Sequence, residues 1–252
     1  MSKLKIGDVF EINSGGSVTV MSYERLKEVK VRHNDLNAHV SVVSYSNLKK
    51  GSVKNPYQLS VFGKGFYGVG SYSSSINNNH TYTHAPSYVA WKDMLHRCYN
   101  PKSHEKNPCY IDCEVSEKWL NFQNFAEWYV NHTYYDKGYE LDKDILVRGN
   151  NIYSEENCTL VPKCINSLLS ERAGARGLYL IGVSYDSSRK KFRASMAQRN
   201  KNYFIGRYET EIEAHQAYVL AKEKYVKQVA NEWRYRIEKR AYDALMCWQV
   251  QR

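Results

Sequence analysis

The chain has 252 residues, enough for two or three small domains, and 42% of them are apolar, which excludes global disorder. A formal net charge of +10 with 22 tyrosines suits a phosphate-lined partner, be it DNA, RNA or another anionic surface. No apolar run approaches the roughly 20 residues of a membrane span, and MSKLKIGDVFEINSGG lacks a signal-peptide apolar stretch. The expected location is therefore the cytoplasm, with no membrane partner.

Six cysteines are present, but a cytosolic chain of this length is not a disulfide scaffold. Cys109 and Cys113 have no second ligand pair beside them, so buried or idle thiols are expected and zinc is not.

Residues 1–70 alternate in short runs, KIGDVFEI, SVTVMSY, EVKVRH and HVSVVSY, with Gly, Ser and Asn between them. That pattern predicts a small antiparallel sheet or barrel-like β domain. Residues 71–86, SYSSSINNNHTYTHAP, are Ser/Asn/Thr-rich and read as a linker or long loop. From Tyr88, Val89, Trp91, Met94, Leu95 and Cys98 form a helical stripe; a second helix, EKWLNFQNFAEWYVNH, is expected after Ser116 as N-cap. Trp119, Phe122, Phe125 and Trp128 have the spacing of helix core residues.

YELDKDILVRGNNIYSEENCTLVPKCINSLL then predicts a strand, a Gly-Asn turn, a short strand and a helix opened by Pro162. It offers Asp142 on the first strand, Asn157 before the second, and Asn166 nine residues on, early in the helix. Taken singly, Asp142 or Asn157 reads as a local turn residue and Asn166 as a solvent-facing one. Their joint order, with the apolar TLVP intact between them, resembles the HNH endonuclease motif, a hairpin and helix around one divalent ion.

The resemblance implies Asp142 and Asn166 as ligands of Mg²⁺ or Mn²⁺ and Asn157 as the residue fixing the loop, with no small-molecule cofactor. Lys143 stands where that family carries its general-base His. An amine with a pKa of about 10.4 does not accept a proton at neutral pH unless strongly perturbed, and the neighbouring carboxylates raise it further. Lys143 is expected to contact phosphate or structure, which leaves Asp144 and His132 as candidates to assist the attacking water.

From Gly182 to Arg252 there are 15 Lys/Arg and 8 Asp/Glu, so +7 of the +10 lies in the last 71 residues. Within RKKFRASMAQR, alternation puts Lys191, Arg193 and Ser195 on one face and Phe192, Ala194 and Met196 on the other. Tyr203, Phe204 and Ile205 are expected in the sheet core. GVSYD, KKFRASM, YFIGRYET and EAHQAYVLAKEKY resemble the DNA-binding domain of plant ethylene-response factors, which also ends phage HNH homing endonucleases. YVAWKDMLHRCYNPK, CEVSEKWLNFQNFAEWY and NLKKGSVKNPYQLSVFGKGFYGVG resemble the same phage family, so the resemblance covers most of the chain.

It implies an α+β protein in four parts. These are a small β-barrel-like domain (1–70), a linker (71–86), an HNH-like ββα-metal domain with preceding helices (87–175), and a three-stranded sheet with C-terminal helices (180–252). It further implies a double-stranded DNA partner, with Arg189, Lys190, Lys191, Arg193, Ser195, Arg199 and Lys201 as DNA contacts. The implied activity is site-selective DNA cleavage or nicking; the competing reading is a DNA-binding module that kept the scaffold and lost catalysis.

Overall fold

Alternating Val18 and Val20 on one strand face Val29 and Val31 on the next, and this period-two burial organises the N-terminal part of the computed structural model. The structure describes residues 4–78, 81–169, 178–199 and 201–250. The chain divides into two compact units, Met1–Tyr72 with Leu120–Asn124, and Ser73–Trp119 with Phe125–Arg252. The protein is a mixed α and β fold with several small sheets.

In the first unit, β1 (Val9–Glu11), β2 (Ser17–Arg25), β3 (Glu28–His33) and β4 (Val40–Val43) form an antiparallel meander. Leu4, Ile12, Leu48 and Val53 close its core. Ser44 caps the short helix α1 (Tyr45–Lys49) by accepting from the Asn47 N–H at 3.2 Å. The expected barrel is corrected to an open sheet, because β1 and β4 end the strand order without pairing with each other among the described residues.

The second unit begins with another correction. Residues 71–86 contain an antiparallel hairpin of β5 (Ser75–Asn78) and β6 (Thr81–His84) rather than a plain linker. Its side chains are largely exposed, so no apolar alternation announced it. In α2 (Pro86–Tyr99), Trp91, Met94, Leu95 and Cys98 are buried as expected, whereas Val89 is exposed. Helix α3 (Pro101–Lys106) and the two-residue strand β7 (Glu114–Val115) follow.

The expected second helix is broken into α4 (Glu117–Leu120) and α5 (Phe122–Asn131). The break arises because Phe66 recruits the intervening backbone, donating to the Leu120 carbonyl and accepting from the Phe122 N–H. Trp119 and Phe125 are fully buried and meet edge to face at 5.0 Å.

Strand β8 (Glu140–Asp142) pairs antiparallel with β10 (Thr159–Val161), and helix α6 (Lys163–Leu169) follows directly. The connection carries β9 (Ile152–Tyr153), which pairs in parallel with β7. Strands β11 (Val183–Asp186), β12 (Lys191–Gln198) and β13 (Lys201–Tyr208) then form an antiparallel sheet. Behind it lies α7 (Glu211–Trp233), opened by a capping box between Thr210 and Glu213, and α8 (Lys239–Met246) ends the described fold.

The boundary expected near residue 175 lies outside the described residues. On either side of it one core is shared: Ile145, Val161, Ile165 and Leu168 pack in the same cluster as Ala194, Met196, Ala214 and Val226. Lys222 of α7 reinforces the junction, its Nζ donating at 2.8 Å to the carbonyl of Leu168 near the end of α6. Among the described residues no helix is long and apolar enough to cross a membrane.

Candidate functional site

The strand–loop–strand–helix segment places its polar groups by simple periodicity. Glu140 and Asp142 are two residues apart on β8 and share a face. Asn166, on the first turns of α6, donates from Nδ2 to Glu140 Oε2 at 2.7 Å. Pro162 seeds that helix, its carbonyl accepting from the N–H groups of Ile165 and Asn166. Asp142 and Asn166 thus lie on one side of the strand pair, linked through Glu140, which shares the Asp142 face and accepts from Asn166.

Asp142 Oδ1 accepts two backbone N–H groups, from Asp144 and Ile145, each at 2.8 Å. Burial nevertheless pushes its carboxyl above the ordinary range, against those two hydrogen bonds. A desolvated carboxylate beside an amide and a second carboxylate forms an oxygen-rich donor set that suits Mg²⁺ or Mn²⁺. Among the described residues there is no group of three His, Cys, Asp or Glu side chains arranged for a metal. Such an ion would therefore take the Asn166 amide oxygen and water as further ligands.

Lys143 turns away from this face. It is only 6% exposed and donates to Asp144 Oδ1 at 2.8 Å and to the Asn150 carbonyl at 2.6 Å, with the Tyr153 ring 5.9 Å away. Burial works against its charge, but the Asp144 carboxylate outweighs it and raises the pKa. Lys143 is a fixed cation inside the loop, and Asp144 is its counter-ion.

Asn150 and Asn157 complete the loop. Asn157 Nδ2 donates to Asn150 Oδ1 at 3.1 Å; Asn150 Nδ2 donates to the carbonyls of Ile152 and Lys143 at 2.7 and 3.1 Å. The two amides tie the ends of the loop together, so Asn157 acts through Asn150, which the sequence did not single out.

His132 is buried beside β10. Its Nδ1 accepts from the Tyr134 N–H at 3.3 Å, which leaves the proton on Nε2, 3.4 Å from Glu238 Oε2. The Leu160 N–H lies 3.5 Å from the same nitrogen, at the outer limit of a hydrogen bond, and the Glu238 carboxylate favours the Nε2 proton. Glu238 also accepts from Thr159 Oγ1 at 2.9 Å and from Arg240 Nε at 2.5 Å. Although burial opposes it, these donors hold the Glu238 carboxyl down at about 2. Thr159 is the register partner of Asp142, and paired side chains share a face, so Glu238 is held on the Asp142 side of the strand pair, and His132 is engaged there with Glu238.

The outer face of the C-terminal sheet forms a second candidate surface. Ala194 and Met196 are buried and Phe192 packs on the core, leaving Lys191, Arg193 and Ser195 on the opposite face. A bulge at Ala194/Ser195 makes Ile205 an extra residue on β13. Ile205 packs on the core, but Phe204 and Tyr203 are 43% and 50% exposed, which corrects the core assignment of those two. Arg193 pairs in register with Ser184 on one side and Arg207 on the other. Arg193 Nε is buried without a hydrogen-bond partner, while Arg207 Nε donates to Asp186 Oδ2 at 3.0 Å. Ser188 and Arg207 together hold the Asp186 carboxyl at about 2.

The other expected DNA contacts are distributed unevenly. Arg189 lies 3.6 Å from Asp186, and Lys191 lies 2.6 Å from Glu209. Lys190 and Lys201 are exposed at the hairpin ends, Lys190 with a positive φ of 49°. Arg199 grips both Glu232 oxygens on α7 at 3.1 and 3.2 Å, so it points to the helix rather than to the outer face.

The thiols of Cys98, Cys113 and Cys158 are pushed up by burial, Cys98 to about 12, and stay protonated. Glu140, Glu238 and Arg207 were not singled out from the sequence, and Phe204 was read there as a core residue. Two-residue alternation around Asp142 would have found Glu140; no local signal points to Glu238. No protein-family model, curated protein or solved structure matches this chain.

Proposed function

We propose that this protein is a divalent-metal-dependent DNA endonuclease or nickase of the HNH kind, targeted to duplex DNA by its C-terminal sheet. The observation that carries the reading is the ββα segment, in which Asp142 on the first strand and Asn166 on the helix share a side, joined through the Asn166–Glu140 hydrogen bond. A bound Mg²⁺ or Mn²⁺ would stabilise the leaving 3′ oxygen. Asp142 would hold its ligating oxygen in place through the two backbone donors on the other. Asn157, through Asn150, would keep the loop closed behind it. The outer-face arginines supply positive charge where a groove or phosphate backbone would lie.

A second reading has its own observation. Lys143 occupies the family's base position and faces inward as a charged structural group, and His132 is hydrogen-bonded to Glu238. Both features favour a DNA-binding module that retains the scaffold without cutting.

Incubating the full chain with supercoiled plasmid and Mg²⁺ or Mn²⁺ separates the two. Metal-dependent nicks that vanish in Asp142→Ala, with DNA affinity unchanged, support the nuclease. Tight binding with no nicks in either metal supports the module.

A further inference from the structure

We infer that the turn between α7 and α8, residues 234–238, is a second DNA-backbone contact, with Arg234 as its phosphate-binding group. This rests on the DNA-binding reading and adds a contact away from the sheet.

Three observations carry it. The Arg234 guanidinium lies 5.5 Å from the Tyr235 ring and 5.5 Å from the Tyr242 ring, and Tyr235 is 85% exposed. Stacking uses the flat faces of a guanidinium and leaves its N–H edge available, the edge that grips a phosphate. Among the described residues, the Arg234 side chain makes no ion pair or hydrogen bond.

Its neighbours are already engaged. Arg236 lies 4.0 Å over the Trp233 ring and donates to the Glu232 carbonyl; Lys239 pairs with Asp243; Arg240 donates to Glu238 and to the Glu156 carbonyl at 3.1 Å. Arg234 is the exception in this turn, an oriented cation with no counter-charge.

The turn is also held rigidly beside the ββα segment. Tyr134 Oη donates to the Ile237 carbonyl at 3.2 Å, and Tyr139 Oη to the Arg236 carbonyl at 2.9 Å. Glu238 is tied to Thr159, the register partner of Asp142. Tyr242 is fixed in turn by its bond to Asn231 at 3.0 Å. A DNA backbone lying along the strand pair that carries Asp142 therefore meets a preorganised cation, and little ordering cost remains at binding.

The test uses the full chain and a fluorescein-labelled, random-sequence duplex, with anisotropy measured across a KCl series. Arg234→Gln should lower the slope of log affinity against log salt by about 0.9, one phosphate's worth, and weaken every duplex alike. Arg234→Lys, which keeps the charge, should restore most of that slope. An unchanged slope in Arg234→Gln, with the wild type binding normally, overturns the inference. So does a loss that Lys fails to restore, since the residue would then act through packing. A wild-type chain that binds no duplex overturns this inference and the DNA-binding reading together.

Discussion

Arg193 and Arg207 stand directly opposite each other on neighbouring antiparallel strands, and the Phe204 ring lies 5.3 Å from one guanidinium and 4.9 Å from the other. Like charges in that relation cost about 0.2–1 kcal/mol in a sheet. Asp186 compensates Arg207, but among the described residues Arg193 has no carboxylate partner and a buried, unbonded Nε. On the proposed DNA-binding reading, an anionic partner would supply the counter-charge that Arg193 lacks here.

Arg193→Gln should therefore leave folding stability unchanged or raise it by a few tenths of a kcal/mol. The same substitution should weaken binding to the preferred DNA target by about 1–3 kcal/mol if the arginine reads a guanine edge. Urea denaturation and anisotropy on matched and mismatched duplexes measure the two effects. A variant that is less stable yet reads the same target contradicts the assignment.

Lys143 should behave as part of the scaffold. Lys143→Met removes the donor to the partly buried Asn150 carbonyl and should cost about 1–3 kcal/mol of stability. Lys143→His should not create or enhance nicking, because the side chain faces the loop interior against Tyr153. Plasmid nicking by Lys143→His well above the wild-type level would show that this side chain can reach the scissile phosphate.

The N-terminal sheet should be acid-sensitive. His33 is 1% exposed, with Nδ1 unbonded and Nε2 3.3 Å from Ser41 Oγ. Burial depresses its pKa and the stacked His39 adds to the depression, while Asp35 works the other way. A depressed folded-state pKa means that the unfolded chain takes up the proton first as pH falls below about 6.5. Stability present above that pH is lost on going down towards the folded-state pKa. Melting of the full chain between pH 7.5 and 5.5 should show this loss, and His33→Phe should reduce it; equal pH dependence in that variant would locate the effect elsewhere.

Gly182 should be intolerant of any side chain. Its φ is +80°, and a Cβ there would come within 2.1 Å of the Tyr218 ring. Gly182→Ala should cost about 2–4 kcal/mol, the sum of backbone strain and overpacking against α7. Thermal unfolding checks it, and a neutral result would mean that Tyr218 moves freely.

Much of this arrangement is legible in the sequence, and the reasons are physical. The N-terminal strands and the β8–β10–α6 order follow from apolar periodicity, since burial of Val18, Val20, Leu160 and Val161 needs that spacing. The β5–β6 hairpin was hidden because its side chains face water and leave no apolar trace. The α4/α5 break was hidden because its cause, Phe66, lies far earlier in the chain. At the candidate site, the order of Asp142, Asn157 and Asn166 was readable, but the inward turn of Lys143 depends on the Asn150 carbonyl that receives it. Glu238 meets Thr159 across 79 positions, beyond the range of any local pattern. Phe204 faced the wrong way on paper because one bulge reverses the alternation after it.

The shared apolar cluster of Ile165, Leu168, Ala194 and Val226 ties the fate of two chemically separate surfaces. The residues proposed to grip a duplex and those proposed to break a phosphodiester bond draw on one apolar core. Under the proposed function, an allele damaged in the strand pair would weaken DNA binding as well, and complementation by separately expressed halves should fail. Selection on target recognition alone would then suffice to preserve the ββα framework, leaving catalysis free to decay or to return within it.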